Sequence, residues 1–249
     1  MRDSYIMFKR NLMKAKRSPE AITMALIVPI FMMVLFGFVF GGIADVGELS
    51  YINFIVPGII VQCVANASSA TSLGIHGDMS KGIIDRFRSM AIAKSAFMSG
   101  HVWVSVIRSM IITTVTFGAA FAIGFRPVAG FVDWLAIAGI LTLFIIAITW
   151  IAVIIGLIAK DAESISGGNF LMMILVFLSS GFAPPETLPA ALRIFATYQP
   201  MTPVIDATRG LMTGIPDNRA LIIALIWCVG IIALGFTFSV QIYKSKLTN

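Results

Sequence analysis

Charged residues are scarce in this chain, making up 12% of its 249 residues, against about 25% in an ordinary soluble domain. Apolar residues reach 58% and the mean hydropathy is +0.95. So few polar side chains cannot cover that much apolar sequence in water, which excludes a soluble enzyme, a secreted disulfide scaffold and a disordered protein. Cysteine is nearly missing. Cys63 and Cys228 each lie in an apolar stretch without a CxxC partner and read as small hydrophobes. The two histidines, His76 and His101, belong to no HExxH or Cys/His cluster, so no metal site is expected. Neither a GxxxxGK(S/T) phosphate loop nor a GxSxG turn occurs, and catalytic residues are expected to be absent. The apolar runs also hold almost no Asp or Glu, the groups a proton-driven pump uses inside the membrane. A protein of this composition that moves something uphill must draw its energy from another subunit.

What is present is apolar sequence in long runs that do not alternate with period two, and these read as bilayer-spanning helices. Crossing about 30 Å of hydrocarbon takes roughly 20 apolar residues. Six runs are expected to span: 21–42, 52–75, 102–124, 134–159, 167–182 and 220–243. The fifth is short and opens softly on Gly167 and Gly168. The first is too long for a cleavable signal sequence and no A-x-A-like site follows it, so it is expected to remain. With no internal repeat and no linker, residues 1–249 read as a single membrane domain.

The net charge is +6, but its distribution is that of a membrane protein and not of a nucleic-acid surface. Arg2, Lys9, Arg10, Lys14, Lys16, Arg17, Lys81, Arg86, Arg88, Lys94, Lys160, Lys244 and Lys246 all fall on one side of the six-span arrangement. Only Arg126, Arg193, Arg209 and Arg219 fall on the other. This asymmetry places both termini in the cytoplasm.

Three segments are more than spans or connections. Within 1–20, Tyr5, Phe8, Leu12 and Ala15 recur at helical spacing with Arg10, Lys14 and Arg17 turned away. That pattern is an amphipathic helix lying in the cytoplasmic interface, or else a plain basic flank, ended by Pro19. In the cytoplasmic loop 77–100, Asp78 or Ser80 can start a short helix whose apolar face is Ile83, Ile84, Phe87 and Met90. Lys81, Asp85, Arg86 and Arg88 fill its polar faces. Such a helix either rests on the headgroups or docks a soluble partner. The outer loop 183–218 carries six prolines and too many apolar residues for a solvated connection. Two short helices fit there, one after Pro189 and one with Thr202 as N-cap and Pro203 at its first helical position, ending near Gly214. They dip into the outer leaflet without spanning it.

Inside the spans, Arg108 is the one formal charge, either snorkelling to the inner interface or touching a substrate or a lipid phosphate. Asn66, Ser68, Ser69, Thr71 and Ser72 make the second span unusually polar, as a pathway lining or as internal hydrogen bonds. Gly37 and Gly41 form a GxxxG in the first.

These segments carry a resemblance. The stretch DMSKGIIDRFRSM, residues 78–90, is similar to the first cytoplasmic loop of type-2 ABC transporter permeases of the daunorubicin/doxorubicin-resistance branch. The stretch FLSSGFAPPETLPAALRIFATYQPMTPVIDATRGLMTG, residues 177–214, resembles that family's outer signature, built on Gly181, Pro184, Pro185, Pro200, Pro203, Asp206 and Arg209. Where the family often has a proline after Met90, Ala91 stands here. The resemblance implies an all-α membrane protein of six transmembrane helices, with an N-terminal interfacial helix, a cytoplasmic coupling helix and re-entrant outer helices before the last span. It further implies a permease subunit of an exporter of amphipathic compounds (drug, antibiotic or lipid-like) in a bacterial plasma membrane. Two copies of a separate ABC ATPase subunit would bind ATP and magnesium, this chain would hold no cofactor, and a second permease copy or a sister permease would complete the pathway. Asp78, Lys81, Gly82, Asp85, Arg86, Phe87 and Arg88 would form the ATPase-coupling element. Membrane lipid and an amphipathic small molecule are the remaining partners, with no nucleic acid. Export of a lipid-linked glycan or other cell-envelope component, or a non-transporting anchor or assembly role, is the alternative.

A cysteine introduced by Ala190→Cys should react with a membrane-impermeant maleimide added outside intact cells. Reaction only after the inner face is opened would overturn the topology.

Overall fold

A computed structural model describes residues 8–13, 19–40, 50–80 and 94–248, and among these every element is helical. Residues 8–13 form part of a helix, followed by α1 (Pro19–Leu35), α2 (Tyr51–Ser80), α3 (Lys94–Ile123), α4 (Phe131–Ile158), α5 (Ala162–Phe177), α6 (Ala190–Tyr198), α7 (Met201–Thr213) and α8 (Asn218–Thr248). α1 runs on through a π turn at Phe36–Phe40. Among the described residues, four helices are long and apolar enough to cross a membrane: α2, α4, and the parts of α3 and α8 at Phe97–Ile123 and Asn218–Lys246. Two apolar helices are shorter, within α1 at Ala25–Val39 and α5 itself. At 1.5 Å per residue α5 covers about 24 Å, less than the hydrocarbon thickness.

Helix ends follow local chemistry. Asp133 folds back so that its Oδ2 accepts from the Gly130 amide at 2.8 Å, starting α4. Asp161 caps α5, its Oδ1 accepting from the Ser164 amide at 2.8 Å and the Ser164 hydroxyl at 2.7 Å, and these two donors hold its carboxyl below the usual range. This cap explains why α5 begins five residues before the apolar run at Gly167. Asp217 accepts from the amides of Arg219 and Ala220, starting α8. Gly214, at φ 75°, closes α7 in the left-handed conformation that glycine adopts without strain.

α2 is the axis of the bundle, packed on by α1, α3, α4, α5 and α7, while α4 also backs onto α8. The close approaches occur at small residues. A Cβ on Gly156 of α4 would come within 2.6 Å of the Ser72 carbonyl oxygen on α2. At the other end, a Cβ on Gly58 would lie 2.5 Å from the Gly181 backbone, so the turn after α5 rests directly on the backbone of α2. α8 buries a narrow stripe, Ala220, Ala224, Cys228, Gly235, Ser239 and Tyr243, at spacings of four and seven residues, and exposes most of its large apolar side chains. Gly37 needs no close approach, since its added Cβ would meet Ile52 at an ordinary 3.5 Å, and Gly41 lies outside the described residues.

Gly58→Ala should therefore destabilise the detergent-solubilised chain by about 1–3 kcal/mol, the usual cost of overpacking. Gly77→Ala, where nothing lies within 4 Å of the added carbon, is the control. Equal thermal midpoints for the two variants would contradict the packing at Gly58.

Candidate functional site

Functional side chains gather in three layers along the axis of α2. At the C-terminal end of α2, Asp78 is only 2% exposed. Its Oδ2 accepts from Arg10 Nη2 at 2.7 Å and lies 3.2 Å from His101 Nε2. Arg10 belongs to the N-terminal helical segment and His101 to the second turn of α3, so one carboxylate joins three elements. The His101 ring stands edge-on to Phe97 at 5.1 Å, and Phe97 stacks on Tyr243 of α8 at 5.8 Å. A carboxylate taken this far from water is costly unless cations and donors meet it, and here they come from two different elements.

The sequence reading gave Asp78 or Ser80 the start of a new helix. Instead α2 continues through both, with the Ser80 hydroxyl donating to the His76 carbonyl one turn back at 2.9 Å. Asp78 is turned inward as a tether, which uses the carboxylate that an N-cap would need. Lys81, Gly82, Asp85, Arg86, Phe87 and Arg88 lie outside the described residues, as do Tyr5, Lys14, Ala15 and Arg17. Of the N-terminal pattern, Phe8 and Leu12 are half-buried and Arg10 faces the bundle.

The middle layer is Arg108 on α3. Its Nη2 donates to the Ala67 carbonyl at 2.9 Å and to Thr71 Oγ1 at 3.1 Å, both on α2, while its Nε has no partner. Arg108 thus clamps two spans instead of snorkelling to the interface. Neighbouring hydroxyls split in their satisfaction. Ser105 pairs with Thr149 at 3.2 Å and Thr116 with Cys63 at 3.4 Å. Ser109, Thr113 and both amide atoms of Gln62 are buried without partners. Ser68 donates to its own helix at Val64, and Ser72 lies 3.5 Å from Asn169 of α5, so part of the polar stretch serves internal bonding.

The outer layer brings the signature residues together. Asp206 Oδ1 accepts from Arg209 Nη1 at 2.7 Å and from the Ser180 hydroxyl at 2.6 Å. Arg209 also donates through Nη2 to the Ser180 carbonyl and through Nε to the Phe54 carbonyl at 3.2 Å, and its guanidinium lies 4.1 Å from the Phe54 ring centre. One arginine therefore binds α7, the turn after α5 and the first turn of α2. Burial pushes the Asp206 carboxyl above its usual range, against the pull of Arg209 and Ser180. Thr202 does not cap α7, which begins at Met201. Its hydroxyl faces inward, accepting from the Ser180 amide at 3.3 Å and donating to the Ala196 carbonyl. Gly181 packs on Gly58, Pro203 is buried in the first turn of α7, Pro200 is half-buried before it, and the Pro184 carbonyl accepts from the Thr187 amide and hydroxyl. An open cavity of about 510 Å³ lies over this layer, with Phe54, Pro184, Pro185, Tyr198, Asp206 and Arg209 in its wall.

Sequence reasoning missed His101, Ser180 and Gln199. The Gln199 amide joins Leu175 of α5 to Met201 and Thr202 of α7. His101 carried a usable signal, since it and Asp78 sit at the adjoining inner ends of two consecutive, antiparallel spans. Among the described residues no group of three or more His, Cys, Asp and Glu is placed to hold a metal ion.

Residues 3–213 match the family model described as ABC-2 type transporter. The daunorubicin resistance ABC transporter permease protein DrrB1 of Streptomyces coeruleorubidus is 26% identical over 238 residues, covering 95% of this chain and 84% of that protein. The probable doxorubicin resistance ABC transporter permease protein DrrC of Mycobacterium tuberculosis is 26% identical over 208 residues, covering 83% and 75%. The putative transport permease ycf38 of Cyanophora paradoxa is 25% identical over 219 residues, covering 85% and 74%.

Arg209→Met should cost about 1–3 kcal/mol in thermal stability, because it leaves the half-buried Asp206 carboxylate without its cation. The loss should be greater at alkaline than at acidic pH, since protonating Asp206 removes that charge. A loss independent of pH would show that the ion pair is not its cause.

Proposed function

The chain belongs to the ABC-2 type transporter family, and from that membership we propose that it is the membrane permease subunit of an ATP-driven exporter moving amphipathic compounds out of the cell. The names of two relatives refer to daunorubicin and doxorubicin resistance, which supports a drug-like amphipathic substrate. In this reading α1 through α5 and α8 are the six spans, α6 and α7 form the re-entrant pair on the outer face, and both termini are cytoplasmic in a bacterial plasma membrane. Four helices of spanning length and two shorter apolar ones support the count, and the Lys and Arg asymmetry supports the orientation. ATP and magnesium bind to two separate ABC ATPase subunits. A second permease copy or a sister permease forms the other half of the pathway, set among membrane lipids.

The observation that carries the reading is the tether at Asp78. Residues 81–93 join α2 to α3 in sequence, and the carboxylate three residues before them receives Arg10 from the N-terminal helix and His101 from α3. An ATPase gripping the loop through Phe87, with Lys81, Asp85, Arg86 and Arg88 around it and Gly82 easing the entry, pulls on all three elements at once. An apolar anchor ringed by charges suits a contact that must form and release in each cycle. Higher up, Arg108 ties α2 to α3, so the two spans move as a pair.

Co-purified with its ATPase and reconstituted, Phe87→Ala or Asp85→Lys should abolish substrate-stimulated ATP hydrolysis while membrane insertion stays intact. Full stimulation in the double variant would contradict the coupling role.

A further inference from the structure

We propose that the open cavity over the outer layer binds an ammonium group carried on an apolar body, with Asp206 Oδ2 as its acceptor. The cavity holds about 510 Å³, within the range of drug-sized pockets. The first turn of α2, the turn after α5, the end of α6, α7 and the start of α8 all contribute to its wall.

The two carboxylate oxygens of Asp206 are used unequally. Oδ1 accepts from both Arg209 and the Ser180 hydroxyl. Oδ2 accepts from no residue and stays accessible, in a side chain that is 34% exposed in the cavity wall. Arg209 is already committed, donating to the Phe54 and Ser180 carbonyls as well as to Oδ1, with only 13% of its side chain exposed. Burial and the neighbouring charge of Asp217 both oppose ionisation of Asp206. A cation arriving through the cavity offsets both. The wall as a whole holds three carboxylates, Glu186, Asp206 and Asp217, against the two guanidiniums of Arg209 and Arg219, which leaves one net negative charge.

The rest of the wall says what kind of cation fits. Bound calcium takes six or more oxygen ligands, and among the described residues no group of His, Cys, Asp and Glu is placed to hold a metal ion. One free carboxylate oxygen suits the three donors of a primary ammonium instead. Beside it, Pro185, Ile223 and the 63% exposed ring of Tyr198 offer apolar and aromatic surface to the body that carries the charge. An amphipathic amine has both parts. An ethanolamine phospholipid of the outer leaflet carries the same ammonium, so the chemistry is shared between a solute and a lipid headgroup. In the topology above the cavity lies on the outer side, which makes it an exit-side site, and that meaning rests on the exporter reading.

Naphthylmethylamine and naphthylmethanol share one ring body and differ in ammonium against hydroxyl, so they serve as matched probes. Thr197→Cys puts a thiol at an exposed position of the wall, and the native Cys63 and Cys228 are buried. The full chain carrying it, in phosphatidylcholine nanodiscs, is labelled with a polyethylene-glycol maleimide, which is uncharged and does not cross the bilayer. The amine should slow labelling saturably, and the alcohol should need about tenfold more for the same protection, the worth of one charge-assisted hydrogen bond. Asp206→Asn should abolish that preference, while Glu186→Gln, at an exposed position, should retain it. Equal protection by the two probes overturns the site. So does a preference that survives in Asp206→Asn or vanishes in Glu186→Gln. Should Asp206→Asn fail to fold, the matched probes and Glu186→Gln still decide. Adding phosphatidylethanolamine to the nanodiscs separates the sources: slow labelling before any amine is added identifies the lipid headgroup, and unchanged labelling identifies a solute. None of these measurements requires an ATPase or transport, so failure of the site leaves the exporter reading standing. Failure of export leaves the protection intact.

Discussion

Asp78 sits almost without exposure at the C-terminal end of the most enclosed of the described helices, and a carboxylate in that position is stable only if the surrounding chain brings cations and donors to it. That requirement organises this end of the bundle. Arg10 reaches Asp78 from the N-terminal segment and His101 reaches it from α3. His101 is seated against Phe97, which in turn packs on Tyr243 near the end of α8. Elements far apart in sequence are thus held together at the C-terminal end of α2.

The outer end is built by a comparable device with the charges exchanged. There a buried arginine is the hub. Arg209 collects carbonyls from α2 and from the turn after α5, together with the Asp206 carboxylate. The contact of Gly58 with Gly181 brings those backbones close enough for one guanidinium to reach both. Between the two hubs α2 is gripped at mid-depth by Arg108 through Ala67 and Thr71. α2 and α3 are therefore bridged at two levels, by Asp78 with His101 and by Arg108 with Ala67 and Thr71. Ionic groups buried in a membrane protein are expected to serve function more than net stability, and these three are spaced along one helix.

Much of this was legible in the residues. The apolar runs at 52–75, 102–124, 134–159 and 220–243 lie within or on α2, α3, α4 and α8, because continuous hydrophobicity of that length has few other resting places. Prolines and Gly214 located α6 and α7 closely, since their backbone preferences are local. The start of α5 was less legible. Asp161 caps it six residues upstream of the apolar run, and hydropathy does not register a cap. Thr202 looked like an N-cap in sequence but spends its hydroxyl on Ser180 and Ala196, a tertiary demand that overrides the local motif. Asp78 was singled out as a helix start beside a docking loop, yet its inward turn toward Arg10 and His101 depends on how three elements pack. Periodicity along one strand of sequence does not contain that.

The most direct test of the tether is a double-mutant cycle on Arg10 and Asp78, with thermal stability and ATP-driven export measured for each single variant and for the pair in the reconstituted complex. If Asp78 joins the N-terminal helix to the spans, Asp78→Ala should uncouple hydrolysis from export, and adding Arg10→Ala should cost little more, because the contact is already gone. Losses that simply add, with export still coupled to hydrolysis in the double variant, would contradict it.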